Sequence, residues 1–123
     1  MARILIIDDE ADVRELLTLR LSAEGFKVLT AKDSFEGIEV SHAEKPDLII
    51  LDLMLPAGGG LSILNNLRSR PDTSSIPVVV LTASQSPGYE KEVMKHGVSA
   101  YIRKPYEAKA LMDAIRKVLG KPA

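Results

Sequence analysis

Five polar side chains capable of metal and phosphoryl chemistry stand at the ends of predicted strands. The clearest case is Asp52, which directly follows the apolar run Leu48-Ile49-Ile50-Leu51. Such a run predicts a strand buried on both faces, and an acid at its end either caps a turn or does chemistry. Position alone leaves both interpretations open. The other members of the set are Asp8, Asp9, Thr82 and Lys104.

The residue types in this set favour phosphoryl transfer assisted by a divalent cation. Carboxylates close together at a partly buried edge repel one another, so a cation is required. A hard ion such as Mg²⁺, or Mn²⁺, prefers oxygen ligands. An acid that faces a metal, an ammonium and a hydroxyl is equipped to attack a phosphoryl group. Asp52 is the candidate nucleophile, while Thr82 and Lys104 are candidates to hold phosphoryl oxygens.

Each of these residues also has an ordinary interpretation. Lys104 alone is typical of a solvated surface lysine, and Thr82 alone is typical of a strand-end hydroxyl bonded to backbone. Histidine-bound metals are not indicated, because His42 and His96 fall on predicted helices and are expected to be helix-surface residues. The sequence holds no cysteine, which excludes disulfides, cysteine-ligated zinc and thiol catalysis.

Strand and helix patterns alternate five times along the chain. Strands are predicted over 3–7, 27–31, 48–51, 77–81 and 100–103. Helices are predicted over 11–24, 34–45, 87–96 and 107–119, with another marked by Leu61, Leu64 and Leu67. This alternation predicts one doubly wound α/β domain with a five-stranded parallel sheet and helices on both faces. In such sheets the working groups gather beyond the carboxyl ends of the strands.

Two helices are expected to pack through particular residues. The first carries Val13, Leu16, Leu17 and Leu21 at helical spacing. For the second, Ser34 is the expected N-cap. Its apolar residues are Phe35, Ile38 and Val40.

Composition limits the classes of function. The 123 residues suit one compact domain, and 46% hydrophobic with 27% charged residues excludes a disordered chain or a membrane-embedded one. A formal net charge of −1 gives no electrostatic reason to expect nucleic acid or anionic lipid as a partner. We therefore expect a cytoplasmic protein whose partners are other proteins.

Four short motifs, taken in order and spacing, resemble the signature of a known family. They are Ile6-Ile7-Asp8-Asp9-Glu10, Leu51-Asp52-Leu53-Met54-Leu55-Pro56, Leu81-Thr82-Ala83 and Tyr101-Ile102-Arg103-Lys104-Pro105. The chain resembles, from residue 3 to 119, the CheY-like receiver domains of two-component response regulators. The resemblance implies a flavodoxin-like fold with strand order 2-1-3-4-5.

The resemblance also implies a role for each site residue. Asp52 would be the phospho-acceptor, and Thr82 and Lys104 would hold phosphoryl oxygens. Tyr101 would be the rotating aromatic of a switch, and a cis peptide bond would precede Pro105. The Mg²⁺ ligands would be Asp9, Asp52 and the Met54 carbonyl, with Asp8 acting through water.

The implied mechanism is a signalling relay. A histidine kinase or histidine phosphotransfer protein would phosphorylate Asp52, and Thr82 would move and vacate space for Tyr101. The surface of the fourth helix, fifth strand and fifth helix would then bind a downstream protein. Its candidate contact residues are Lys91, Lys95, Tyr101, Arg103, Tyr106 and Lys109. The protein would be a monomer or weak dimer and a phospho-acceptor rather than an enzyme, assisting its own phosphorylation and slow dephosphorylation.

The chain departs from the family pattern at several positions. The usual acid is absent from Ala57-Gly58-Gly59-Gly60, so this rim is expected to be mobile. Val98-Ser99-Ala100 stands where acids are common, which predicts a different choice of partner.

Met54 and Ser84 stand two residues beyond Asp52 and Thr82. Neither can act as a strong base for an attacking water, so we predict that the phosphorylated state decays slowly. A Met54→Asn variant is expected to lose phosphate faster than the parent, measured as the first-order decay of the phosphorylated mass. Equal decay rates would contradict this explanation.

Alternatives to a stand-alone receiver remain open. Residues 120–123 are too few to fold and form a tail, or a linker stub if the chain is a fragment of a longer regulator. A non-phosphorylated interaction scaffold is disfavoured by the complete acidic set. A flavin-binding relative is disfavoured by acids where its phosphate would sit. An aspartyl phosphatase would have its second acid two positions after the first, whereas Asp8 and Asp9 are adjacent.

Overall fold

The computed structural model describes residues 1–53, 59–84 and 86–120. Five strands and five helices alternate in these parts of the chain, as predicted. The strands are β1 Arg3–Ile7, β2 Lys27–Ala31, β3 Leu48–Asp52, β4 Val78–Thr82 and β5 Ala100–Arg103. The helices are α1 Ala11–Ala23, α2 Ser34–Glu44, α3 Gly59–Ser69, α4 Pro87–Met94 and α5 Ala108–Leu119.

The strands form one parallel sheet in the order β2-β1-β3-β4-β5. Helices α2, α3 and α4 contribute to the core on one face, and α1 and α5 to the core on the other. All residues of β3 and β4 are buried, because central parallel strands are covered on both sides. The predicted doubly wound fold and its strand order are confirmed.

The predicted N-cap and one predicted core residue of α2 were wrong. Asp33, not Ser34, caps the helix, and its carboxylate accepts a hydrogen bond from the Glu36 amide at 2.8 Å. Phe35 is 75% exposed. The buried face of α2 carries Gly37 and Ser41, one helical turn apart, so Phe35 points about half a turn away from the sheet.

Helix α1 shows the same kind of error. Its buried stripe is Leu17 and Leu21, with Val13 partly buried one turn earlier. Leu16 lies about 100° around the helix from Leu17 and is 51% exposed. Apolar residues at approximate helical spacing therefore did not all belong to the core.

His42 is not the surface residue that the sequence suggested. Its side chain is only 19% exposed, and Nε2 lies 2.9 Å from Asn66 Oδ1 on α3. Nδ1 lies 3.6 Å from Asp72 Oδ2. His42 thus contributes to the packing of α2 against α3. His96 lies just after α4, and its carbonyl accepts a hydrogen bond from Arg68 Nε at 2.8 Å.

Two of the rim glycines belong to a packed helix. Gly59 and Gly60 form the buried first turn of α3 rather than part of the loop that the sequence indicated. Ala57 and Gly58 lie outside the described residues. A Cβ atom on Gly60 would lie 2.5 Å from the Leu53 carbonyl oxygen. The helix therefore packs directly against the backbone that follows Asp52.

Candidate acidic site at the carboxyl edge of the sheet

Strand register brings the predicted site residues to one edge. Ile7 of β1 pairs with Leu51 of β3, so Asp8 and Asp52 leave the sheet side by side. Asp52 pairs with Leu81 of β4. Thr82, the last residue of β4, pairs with Arg103, the last residue of β5. Lys104 follows Arg103 directly, so it leaves the sheet beside Thr82. Four separate parts of the sequence meet here.

Asp8 is almost completely buried, with 1% of its surface exposed. Its Oδ1 accepts a hydrogen bond from the Glu10 amide at 2.8 Å, and its backbone carbonyl accepts one from Arg14 Nη1 at 2.7 Å. Burial raises the pKa of Asp8 to about 6. The charges of Asp52 and Asp9 also raise this pKa, while the Glu10 amide and Lys104 oppose them.

The raised pKa of Asp8 predicts a pH-dependent stability in the absence of divalent cations. The folded chain holds this proton more tightly than the unfolded chain, whose Asp pKa is about 3.8, so stability is lost as pH rises from about 4 to about 6. Asp8→Asn removes that loss and keeps an acceptor for Glu10. At pH 7 in chelator we expect the variant to be more stable by about 1–2 kcal/mol, after discounting for solvent screening.

Urea unfolding of both proteins from pH 4 to pH 7 measures this difference. The difference in the free energy of unfolding between Asp8→Asn and the parent should become smaller towards pH 4. A constant gap across the range, or a variant less stable at pH 7, would contradict the assigned cause.

Lys104 provides a positive charge between two of the acids. Its Nζ lies 3.5 Å from Asp52 Oδ2 and 3.8 Å from Asp8 Oδ2. Its amide donates a hydrogen bond to the Thr82 carbonyl at 2.8 Å, and the Lys104–Pro105 peptide bond is cis. The distances are those of ion pairs rather than direct hydrogen bonds. Lys104 therefore lies where it can move onto an anion bound at Asp52.

The loop after β1 forms an acidic cluster. One carboxylate oxygen from each of Asp8, Asp9 and Glu10 lies within 4.8 Å of the other two. Asp9 and Glu10 are exposed. Oxygen donors at this spacing fit a hard divalent cation, and the nearby Lys104 brings one positive charge to several negative ones. The Met54 carbonyl, a predicted ligand, lies outside the described residues.

Glu10 was not among the predicted site residues. It adds a carboxylate to the cluster although its amide is already bonded to Asp8. The sequence signal was present, because Glu10 belongs to the same acidic turn as Asp8 and Asp9. Its exposure leaves the carboxylate free to approach a cation held by its neighbours.

Thr82 and Tyr101 lie on the neighbouring strands. Thr82 is fully buried, and its Oγ1 accepts a hydrogen bond from the Ser84 amide at 3.1 Å. Tyr101 Oη is buried, and within the described parts of the chain no hydrogen bond of good geometry reaches it, although the Ser84 and Thr82 hydroxyls lie close to it. Burial raises the pKa of Tyr101, while the nearby hydroxyls of Ser84 and Thr82 act to lower it.

Sequence reasoning also missed Tyr89. This residue lies in the first turn of α4 and packs, with Tyr101, against the core beneath α3 and α4. Burial raises the pKa of Tyr89, and the charges of Tyr101 and Asp52 add to the effect. Tyr89 is therefore an aromatic neighbour of the site. No pattern in the sequence singles it out, because its position depends on how α4 packs.

The fold and these contacts define a class: a doubly wound α/β domain with an acidic, lysine-containing site at the carboxyl edge of its sheet. Comparison with known proteins agrees. Residues 4–116 match the response regulator receiver domain family, and the chain belongs to that family. Receiver domains accept phosphoryl groups from histidine kinases and bind Mg²⁺ at an acidic pocket.

Two curated regulators are similar to this chain over most of its length. The chain is 36% identical over 117 residues to the phosphate regulon transcriptional regulatory protein PhoB of Escherichia coli, covering 95% of this chain and 51% of PhoB. It is 37% identical to the probable transcriptional regulator ycf27 of Guillardia theta, covering 95% and 45%. The chain thus spans about half the length of these curated relatives.

Solved structures share the fold over nearly the whole chain. A response regulator receiver domain protein from Clostridium thermocellum is 31% identical with a TM-score of 0.89, covering 98% of this chain and 95% of that one. Chemotaxis protein CheY4 of Vibrio cholerae is 26% identical with a TM-score of 0.88, covering 96% and 98%. Within the described residues, every helix is too short or too polar to cross a bilayer.

Proposed function

We propose that this receiver domain accepts a phosphoryl group on Asp52 and passes the signal on by binding another protein. The observation that carries the proposal is the position of the Lys104 ammonium, 3.5 Å from Asp52 Oδ2 and 3.8 Å from Asp8 Oδ2. This arrangement places a mobile cation and an acidic cluster around one strand-end carboxylate. It suits a carboxylate that accepts a phosphoryl group, because the phosphorylated side chain carries about two negative charges that need nearby cations.

Each described residue then has a chemical role. A carboxylate oxygen of Asp52 attacks the phosphorus of a phosphohistidine in line, the P–N bond breaks, and the imidazole leaves with its electron pair and takes up a proton. Lys104 and the Thr82 hydroxyl bind oxygens of the transferred group. Asp9, Asp52 and the Met54 carbonyl would hold Mg²⁺, or Mn²⁺, with Asp8 acting through water, and the bound ion would neutralise charge on the phosphoryl oxygens.

The partner that supplies the phosphoryl group is proposed to be a histidine kinase or a histidine phosphotransfer protein. Tyr101 and Thr82 would form the switch, and the output surface of α4, β5 and α5 would bind a downstream protein. A net charge of −1 favours a protein target over nucleic acid for this segment. The absence of cysteine favours a cytoplasmic location.

The unit of function is proposed to be the single domain of residues 1–123, as a monomer or weak dimer. A second candidate is the receiver segment of a longer regulator. The observation that favours it is coverage of only 51% of PhoB. The chemistry proposed for Asp52 is the same in both cases.

Incubation with acetyl phosphate and Mg²⁺ tests the proposal. Intact-mass measurement should show one added phosphoryl group, and chelation of Mg²⁺ should prevent it. Beryllofluoride with Mg²⁺ should change the environment of Tyr101. A chain that neither gains mass nor responds to beryllofluoride would be a scaffold that uses this fold without phosphorylation.

A further inference from the structure

An ion pair joins α4 to β5 beside Tyr101. Arg103 Nη2 donates a hydrogen bond to Glu90 Oε1 at 2.7 Å. Glu90 lies in the first turn of α4 and Arg103 is the last residue of β5. The sequence suggested that Arg103 would contact a partner. The structure pairs it with an acid of its own chain and leaves its side chain 41% exposed, so contact with a partner stays a prediction.

The residues around this pair lie on one face of the sheet. Side chains alternate along a strand, so Tyr101 and Arg103 point to the same side of β5. That side faces α4, because Tyr101 packs on the core that includes Val93 of α4. Tyr89, next to Glu90, packs on the same core. The first turn of α4 is therefore joined to β5 by an ion pair, beside two tyrosines that pack on the same core.

Tyr101 needs such support to stay in place. Its Oη is buried and no hydrogen bond of good geometry reaches it from the residues described, although the Thr82 and Ser84 hydroxyls are close enough to lower its pKa. A buried hydroxyl that is bonded this poorly is destabilising. In an exposed position the same hydroxyl would be hydrated. Contacts other than its own hydrogen bonds must therefore favour the buried position, and the core on which Tyr101 packs, which includes Val93 of α4, contributes to them.

We propose that Glu90 and Arg103 form a latch that holds the first turn of α4 against β5 and thereby keeps the hydroxyl of the partly buried Tyr101 inside before any phosphoryl group arrives. The latch rests on the proposed function, because it sets how much Tyr101 changes when Asp52 is occupied. Both residues are positioning residues that act through Tyr101.

The latch has a consequence for the affinity of the site. If occupation of Asp52 favours buried Tyr101, any contact that already favours buried Tyr101 raises the affinity for the occupying group, because the coupling is reciprocal. Breaking the latch should then weaken binding at Asp52 although Glu90 and Arg103 do not bind the ligand themselves. An exposed ion pair of this kind corresponds to about a two- to fivefold change.

The latch is tested with two single variants, Glu90→Gln and Arg103→Gln. A double variant, Glu90→Arg with Arg103→Glu, exchanges the two charges. The first measurement is the solvent exposure of Tyr101 by ¹⁹F NMR of fluorotyrosine-labelled protein without any phosphoryl donor. The chain has three tyrosines, so Tyr→Phe changes assign the signals. The second measurement is beryllofluoride affinity in excess Mg²⁺.

A matched control removes an ion pair elsewhere. Lys109 and Asp113 pair at 2.8 Å within α5, so Asp113→Asn should alter neither measurement. Each single latch variant should expose Tyr101 and weaken beryllofluoride about two- to fivefold. The exchanged pair should recover both properties. If the single variants acted by destabilising the fold in general, exchanging the two charges would not restore Tyr101 burial or beryllofluoride affinity.

Three results would contradict either the latch or the proposed function. Tyr101 that stays buried in the single variants overturns the latch. Exposure that the exchanged pair fails to reverse also overturns it, because pairing would not be the cause. A parent protein that does not bind beryllofluoride refutes the proposed function, and the ¹⁹F exposures alone then decide the latch.

Discussion

Asp52→Asn is expected to reduce phosphate incorporation from acetyl phosphate to background. The amide is nearly the same size as the carboxylate but is a poor nucleophile, so no acyl phosphate can form. Asp8 stays beside Lys104, with its Oδ2 3.8 Å from the lysine Nζ. The measurement is the phosphorylated fraction by intact mass, with thermal unfolding followed in parallel.

A suitable control is Asp33→Asn. Asp33 caps α2 through a hydrogen bond that an Asn side chain can also accept, so incorporation should match the parent. Incorporation in Asp52→Asn that equals the parent would place the acceptor on another residue. Loss in both variants would point to a general effect of removing acids.

Gly60→Ala is expected to destabilise the fold and to slow phosphorylation. The added Cβ would lie 2.5 Å from the Leu53 carbonyl oxygen and 2.6 Å from Leu53 Cα. These are backbone atoms, so no side-chain rotation relieves the clash. Relief requires α3 to move away from the end of β3, which carries Asp52.

The expected destabilisation of Gly60→Ala is about 1–3 kcal/mol, measured by urea unfolding. A displacement of Asp52 by up to an ångström can slow transfer by up to roughly 100-fold. Both effects should appear together because they have one cause.

Gly88→Ala is the matched control. Gly88 lies in the first turn of α4, where the nearest atom to an added Cβ is Ser86 Oγ at 3.8 Å. Alanine there should leave phosphorylation unchanged and raise stability by up to about 0.5–1 kcal/mol. Equal effects of the two substitutions would show that helix propensity, rather than the close approach to Leu53, governs Gly60.

The elements of this fold were predictable because their patterns are local. Continuous apolar runs such as Leu48 to Leu51 indicated buried parallel strands, and the structure places them at the centre of the sheet. The helix faces were harder to predict. Phe35 and Leu16 are exposed, because the side of a helix that meets the sheet depends on docking. The N-cap of α2 is Asp33 rather than the neighbouring Ser34.

The sequence by itself determined the element order, the doubly wound class and the residue types at the strand ends. The strand ends are visible in the sequence because each apolar run stops at a polar residue, such as an acid or a threonine. Only the tertiary structure decided the lysine distances, the raised pKa of Asp8, the contact of Gly60 with Leu53 and the pairing of Glu90 with Arg103. These features depend on burial and on contacts between different strands and helices, so they exist only once the sheet and its helices have packed.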